Sequence, residues 1–251
     1  MDNLKTNIPN FKKNKDHTRN FFNEYAQAYR RYLQEFSPGW QPFISYHYNR
    51  FFGNLKGRLL DLGSGNTRYY EEGKYEKVIL LDYALNMFET REKKANSVAL
   101  NADASYIPLK NNSIDLILMN SFLHHLVKDT LKQTDSGILM CLKECRRVLK
   151  EDGRILIFDA HIPLIMEKLY KSSFFLLFNL TKALRKPMVR PLSEESLLRF
   201  IEQASLMIIK NEQIKPECRV PLAGCLLGNN RFLLSPRFYP WKFHVYFLTK
   251  K

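Results

Sequence analysis

Residues 59–70 read "LLDLGSGNTRYY": an apolar strand runs into a glycine turn and opens into polar residues. What that turn can hold decides the fold. Gly63 and Gly65 begin a G-x-G-x-x-G pattern whose third glycine falls on Arg68. A dinucleotide site uses that third glycine to pack the helix tightly against the strand, with the pyrophosphate at the helix N-terminus. Arg68 removes this provision, and no GK[ST] follows to make a Walker-type phosphate loop. NAD and ATP are both poor fits. An acid nevertheless stands where a ribose-binding residue belongs. Asp82 ends the next strand, 19 residues after Gly63, and a carboxylate there can accept both ribose hydroxyls.

Outward from the turn, strands and helices alternate. "GRLLDLG" (57–63), "KVILLD" (77–82), "SVALNAD" (97–103), "IDLILMN" (114–120) and "RILIFDA" (154–160) are mostly continuous apolar runs. Strands covered on both faces by helices have that pattern. "ALNMFETREKKA" and "DSGILMCLKECRRVLK" are expected as helices, the second with Ile138, Leu142, Cys145 and Leu149 on one face and "EDG" as the turn into the next strand. The whole predicts an α/β, doubly wound sheet. Before it, "DHTRNFFNEYAQAYRRYLQEF" sets Phe21, Phe22, Tyr25, Tyr29, Tyr32 and Phe36 at helical spacing with Asp16 as N-cap. After Ala160 an irregular apolar-and-basic stretch runs to about Pro191. The helix "SEESLLRFIEQA" follows, with Ser193 as its cap, and the strands "LMIIKNEQI" and "KFHVYFLTK" come last. No repeats or low-complexity linkers interrupt the chain.

Asp61, Asp82 and Asp103 thus fall at the carboxyl ends of consecutive strands, where open α/β sheets bind ligands. A glycine turn with a ribose acid and no phosphate provision suits an adenosine bearing a cationic tail. In order and spacing, "LLDLGSGNTRYY", "VILLDYALNMFE", "NADASYIPLKNNSIDLILMNSFLHHL" and "LKECRRVLKEDGRILIFDA" resemble the successive motifs of class I S-adenosylmethionine-dependent methyltransferases, over about residues 57–160. The resemblance implies a Rossmann-like, doubly wound seven-stranded sheet whose last strand, "KFHVYFLTK", runs antiparallel. It also implies an N-terminal helical lid and a helical insertion after strand 5. A single methyltransferase domain would then span 1–251, with lid 1–56, cofactor-binding core 57–160, and acceptor-covering insertion with C-terminal strands 161–251.

The implied cofactor is S-adenosylmethionine. By the resemblance, Asp61, Gly63, Ser64 and Gly65 border its methionine part and Asp82 binds the ribose. Tyr83 packs on the adenine, and Asp103 reaches the adenine amino group with help from the Ala104 backbone. Asn120 and Ser121 line the site after the fourth strand, and Tyr25 of the lid helix comes near the donor. Where the family's turn often carries another glycine, Asn66-Thr67 stands here, which alters the detail of the turn. Aromatics at helical spacing are also a packing signal, so the 21–36 stripe serves equally as core.

His124 and His125 follow the fourth strand, where the methyl would leave. A histidine there can act as general base or orient a neighbour by a hydrogen bond. Position favours His125 over His124 as the catalytic candidate, with His161, after the fifth strand, in reserve. Neither the histidines nor the cysteines have metal-ligand spacing, and no metal is expected. Cys141, Cys145, Cys218 and Cys225 lack CxxC spacing and are expected as buried reduced thiols.

The formal charge of +14 is unevenly placed. Residues 57–160 carry 15 basic and 15 acidic side chains, whereas 1–56 carry 9 against 4 and 161–251 carry 15 against 6. The excess sits wholly in the flanks, which either meet something negative or present a solvated basic surface. The start, "MDNLKTNIPN", lacks an apolar core for a secretory signal, and "FFLLF" at 174–178 is far too short to span a bilayer, so a cytoplasmic protein is expected.

The acceptor must be read from the flanks. Adenine and cytosine amino methyltransferases carry [DN]PP[YF] after the fourth strand; "NSFL" stands here and argues against nucleobase amino methylation. "HHL" occurs both in small-molecule enzymes and in enzymes of tRNA wobble bases. The stretch 162–190 is apolar with Lys168, Lys171, Lys182, Arg185, Lys186 and Arg190 interspersed. That composition suits a small acidic, amphipathic or lipid-like acceptor, or peripheral contact with an anionic membrane in which Phe174 and Phe175 insert. RNA (tRNA) is the alternative acceptor, through basic flanks interleaved with aromatics, although no RNA-binding module is appended. A non-catalytic scaffold is disfavoured by the retained acids and glycines.

Overall fold

A computed structural model of the chain describes residues 18–24, 26–27, 39–65, 69–89, 95–184, 186–216 and 241–251. The expectations placed on Asp16, Tyr25, Tyr29, Tyr32, Phe36, Asn66, Thr67, Arg68, Arg185, Cys218 and Cys225 lie outside the described residues.

Seven strands form one sheet: β1 (Arg58–Leu62), β2 (Lys77–Asp82), β3 (Ser97–Asn101), β4 (Ile114–Asn120), β5 (Leu149–His161), β6 (Leu206–Ile214) and β7 (Lys242–Lys250). Their order is β3-β2-β1-β4-β5-β7-β6. β1 to β5 pair in parallel, and β7 is antiparallel to both β5 and β6. The last strand is therefore the antiparallel one, as the resemblance implied.

The strands read as continuous apolar runs because each feeds two cores. Leu59, Leu80, Leu116, Leu118, Leu156 and Phe158 face one side, where α1 (Trp40–Phe52) buries Trp40, Ile44, Tyr48 and Phe52 on a single stripe. Leu60, Leu81, Ile117, Met119, Ile155 and Ile157 face the other. With one residue per face in alternation, both must be apolar. That second side is covered by α3 (Leu131–Val148) and α5 (Glu194–Gln203), through Ile138, Leu142, Leu197 and Ile201. Thr130 caps α3 by accepting from the Gln133 amide (3.2 Å), and Ser193 caps α5 by accepting from Ser196 (3.2 Å). A short α2 (Asn86–Glu89) follows β2.

Two local expectations are corrected. Strand β5 begins at Leu149, so "EDG" is a bulge within the strand: Ile114 pairs with Leu149 and Leu116 with Arg154. The stretch after Ala160, irregular by its residue pattern, holds a 20-residue helix, α4 (Leu164–Ala183), in the place of the helical insertion that the resemblance implied. Its period is masked in the sequence because its outer face is also apolar. Cys141 and Cys145 are buried free thiols on the packed face of α3. The hydrogen bond to Cys145 and burial hold the Cys141 thiol well above its ordinary value.

Candidate active site

Strand β1 lies between β2 and β4, and chain order reverses there, which opens a crevice at the carboxyl ends of the parallel strands. A cavity of about 260 Å³ occupies that crevice, lined by the segments that follow β1, β2, β3 and β4. The glycine turn forms its floor. Gly63 has φ +64°, and a Cβ there would collide with the Phe122 ring. The Gly63 and Ser64 amides both donate to the Leu81 carbonyl (2.9 and 3.2 Å), which pins the turn onto β2.

Asp82 links two turns. Its Oδ2 accepts from the Gly65 amide (3.0 Å) and its Oδ1 from the Ala84 amide (2.9 Å). Asp61 is buried and accepts from the Tyr70 hydroxyl (2.6 Å); Tyr70 in turn stacks on Tyr48 at 5.1 Å. Asp103 accepts from the Ser105 amide and hydroxyl (2.8 and 2.6 Å) and pairs with Lys128 (3.2 Å). Burial pushes the Asp103 carboxyl up, but Lys128 and the Ser105 bonds outweigh it and hold it below the ordinary range. All three acids are thus fixed in orientation on the cavity wall.

Gly63, Ser64, Gly65, Tyr83, Ala104, Asn120 and Ser121 line the same cavity. The Arg19 guanidinium lies 4.5 Å over the Tyr83 ring, covering one face with a cation. Ser121 holds φ +50° while its amide donates to the Phe158 carbonyl (2.7 Å), a left-handed turn that costs a non-glycine residue energy. Asn120 Oδ1 is buried with no hydrogen-bond partner among the described residues. From the N-terminal flank, Phe21 and Phe22 close the cavity. Asn23 fastens that helical segment to Asn86 by two hydrogen bonds (3.1 and 2.9 Å).

The histidines divide sharply. His125 lines the cavity, edge-on to Phe22 at 5.1 Å. Burial, with the neighbouring His124 adding to it, holds its imidazole well below the ordinary value, and its Nδ1 is buried without a partner among the described residues. His124 also lines the cavity, and its Nδ1 bonds Asp159 Oδ1 at 2.8 Å. His161 is not brought to the cavity. It is buried under Leu192, with Nδ1 3.3 Å from the Leu192 carbonyl and Nε2 2.8 Å from the Tyr246 hydroxyl.

Several side chains at or behind the cavity were not among those singled out by position. Asp159 lies near the carboxyl end of β5 (Leu149–His161), as Asp61, Asp82 and Asp103 lie at or near the carboxyl ends of their strands, and the rule that singled those three out reaches it too. Arg19 carried no local signal. Pro187, Val189 and Pro191 form the wall that follows α4, whereas α4 itself does not line the cavity. Arg190, expected among the interspersed surface cations, is instead fully buried.

Residues 60–157 match the profile of a family described as "Methyltransferase domain". An uncharacterised protein of Methanocaldococcus jannaschii is 31% identical over 107 residues, which are 42% of this chain and 42% of that protein. A putative methyltransferase of Encephalitozoon cuniculi is 28% identical over 112 residues, 43% of this chain and 49% of that one. The matched stretch thus spans less than half the length of either curated relative. Among solved structures, a putative methyltransferase in complex with the Haloferax volcanii Trm112 activator superposes with TM-score 0.63 at 13% identity, over 91% of this chain and 96% of that one. A possible histamine N-methyltransferase of Thermotoga maritima gives 0.57 at 20%, over 94% and 100%. A geranyl diphosphate C-methyltransferase of Streptomyces coelicolor, in complex with geranyl diphosphate and S-adenosyl-L-homocysteine, gives 0.61 at 11%, over 84% and 79%.

Proposed function

We propose that this chain, whose residues 60–157 form a class I S-adenosylmethionine-dependent methyltransferase domain, is an active methyltransferase of a small acidic, amphipathic acceptor. The observation that carries this is the set of three oriented carboxylates, Asp61, Asp82 and Asp103, around a glycine turn at one cavity. The donor set fits S-adenosylmethionine. It is anionic where a sulfonium and an amino group need it, it has no phosphate cradle, and the orphaned Asn120 Oδ1 offers a buried acceptor beside them. Asp82 would take the ribose hydroxyls, Tyr83 and Asp103 with Ala104 the adenine end, and Asp61, Gly63, Ser64 and Gly65 the methionine end, with Asn120 and Ser121 beside the reacting region. Bound there, the cofactor would supply a methyl carbon already activated as a sulfonium. The protein's task is then to hold the nucleophile in line and keep water out. Phe21, Phe22 and His125 close that side without adding charge.

What supports the acceptor class is α4. Ile165, Leu169, Leu176 and Leu180 form one stripe along its outer face and are 64, 64, 70 and 50% exposed; Phe175, beside them, is 79% exposed. Lys168 and Lys182 flank Phe175, and the helix's sole acid, Glu167, is fully buried. An apolar stripe edged by cations, with no exposed carboxylate, complements an anionic lipid surface. Among the described residues no helix is long and apolar enough to cross a membrane, so the contact proposed is peripheral. The acceptor would enter from that surface past the Pro187–Pro191 wall. The Streptomyces neighbour's geranyl diphosphate is an acceptor of the same acidic, amphipathic character.

Calorimetric titration with S-adenosylmethionine tests the core of this proposal. Wild-type protein binds, and Asp82→Ala loses roughly 1.5–3 kcal/mol, about 10- to 150-fold in Kd, through the lost charge-assisted contact. No binding by the wild type, or an unchanged Kd in a folded variant, rejects it.

A further inference from the structure

We infer that His124, oriented by Asp159, is the group that takes the proton from the acceptor, so that the acceptor nucleophile is an O–H or N–H. This rests on the methyltransferase reading above and adds a catalytic pair that the cofactor motifs do not contain.

The geometry separates a front and a back. His124 lines the cavity, whereas Asp159, on β5, stands behind it and bonds Nδ1 at 2.8 Å. The carboxylate can only accept, so Nδ1 carries the hydrogen and Nε2 presents its lone pair. No described residue bonds Nε2. Asp159 Oδ1 also accepts from the Ala160 amide (2.8 Å), and its Oδ2 is buried with no partner among the described residues. A carboxylate so poorly matched by donors is suited to facing an imidazolium. The main chain holds the histidine as well: the Arg190 amide donates to the His124 carbonyl at 2.7 Å.

The other described histidines lack this arrangement. His161 is engaged at both nitrogens and lies off the cavity. His125 has no carboxylate partner and is kept neutral by burial. His244 bonds Asn211 Oδ1 (3.1 Å) and packs edge-on to His161, away from the cavity wall. His47 lies on α1, among Phe43, Tyr46 and Phe158.

The transfer balances as follows. The acceptor's X–H bond breaks and its proton moves to His124 Nε2, while an X electron pair forms the new bond to the methyl carbon. The S–C pair returns to sulfur, leaving a neutral thioether. The positive charge that began on the sulfonium ends on the His124–Asp159 pair, where one carboxylate offsets it, and leaves with the proton to water. The titratable groups beside the pair are His161 on β5 and His125 in the histidine's own turn; burial lowers both and keeps them neutral.

Nitrogen-15 NMR of histidine-labelled protein, without donor or acceptor, reads the tautomer directly. Wild-type His124 shows the Nδ1–H form, and Asp159→Asn loses that form or mixes it. Turnover is followed as S-adenosylhomocysteine release with a hydroxy fatty acid, a prenyl alcohol, a phenol and a primary amine as probes, each of which carries a proton on its nucleophilic atom at neutral pH. His124→Asn can still donate to Asp159 but has nothing at the Nε2 position. It is expected to lower kcat by 10²- to 10⁴-fold with the donor Kd within about twofold. Asp159→Asn, the second variant should His124→Asn not fold, is expected to lower kcat in the same direction. An Nε2–H tautomer in the wild type overturns the assignment, as does an unchanged kcat in either folded variant. Failure of the wild type to bind donor rejects the methyltransferase reading instead, and the tautomer result stands apart from it.

Discussion

The floor of the cavity and the helix α4 spend their side chains in opposite ways. At the floor every acid is already held, Asp82 by two backbone amides, Asp61 by Tyr70 and Asp103 by Ser105 and Lys128. Such a site is preorganised, and its ligand need not order it. The inner face of α4 is held as firmly, but its outer face offers apolar side chains to solvent. One region is finished by the chain itself, and the other, on the function proposed above, by a surface the chain meets. A monomeric soluble protein rarely leaves such a row of apolar side chains uncovered without a partner in prospect.

The largest expected effect breaks the inner face of α4. Arg190 is fully buried, with Nη2 2.7 Å from Glu167 Oε1, Nε 3.1 Å from Asp135 and Nη1 2.7 Å from the Pro191 carbonyl. Glu167 also accepts from the Ser193 amide (3.0 Å), the Ser196 hydroxyl (2.8 Å) and Lys171 (3.0 Å). The pair thus fastens α4 to the cap of α5. Arg190→Met leaves a buried carboxylate short of its cation and should cost about 3–5 kcal/mol in urea unfolding. Donor affinity in the folded variant should stay within about twofold, because none of the three strand-end acids is touched. A loss of donor binding equal to the loss of stability would show that the two regions are not separable.

Acid sharpens the same contrast. Burial alone would raise the Glu167 carboxyl, but its bonds to Ser193, Arg190, Ser196 and Lys171 win and lower it to about 2. A group whose folded value is depressed adds stability above its unfolded value, and that stability is lost as pH falls through the folded value. Glu167 therefore contributes on the order of 3 kcal/mol above about pH 4.5, declining towards pH 2. Glu167→Gln should flatten the acid limb of a stability–pH curve measured by urea midpoints. An unaltered limb would mean that other carboxylates govern it.

Much of this was legible in the sequence, and the gaps have physical causes. Strand runs, caps and the left-handed glycine announce themselves locally: β6 and β7 fall on "LMIIKNEQI" and "KFHVYFLTK", and Ser193 caps where expected. The resemblance implies a helical insertion where α4 stands, but the residue pattern alone does not show it, because apolar residues on both faces erase the period that marks an amphipathic helix. Arg190 read as a surface cation because its partners, Glu167 and Asp135, are 23 and 55 residues away. The contact between His124 and Asp159 is hidden in the sequence for the same reason, since the two lie 35 residues apart. Single residues at strand ends carry their role in position; pairs across the fold do not.

The smallest effect per substitution tests the outer face. Phe174, first expected to insert into lipid with Phe175, belongs to the core with Val127 and Met188, so only Phe175 serves as a probe of the surface. Lys168→Gln and Lys182→Gln should each weaken binding to phosphatidylserine-containing vesicles by about 1 kcal/mol, roughly fivefold in partition coefficient. Phe175→Ser should add a loss that survives raised salt, because apolar burial is not screened as charge is. Co-sedimentation at two salt concentrations separates the two contributions. RNA would behave otherwise, with affinity falling steeply with salt by the number of phosphates neutralised and with little dependence on Phe175 unless it stacks a base. Tight RNA binding without vesicle binding would replace the lipid surface with nucleic acid as what α4 meets. Binding to neither would leave the methyl acceptor a soluble metabolite and the outer stripe of α4 without the role proposed for it.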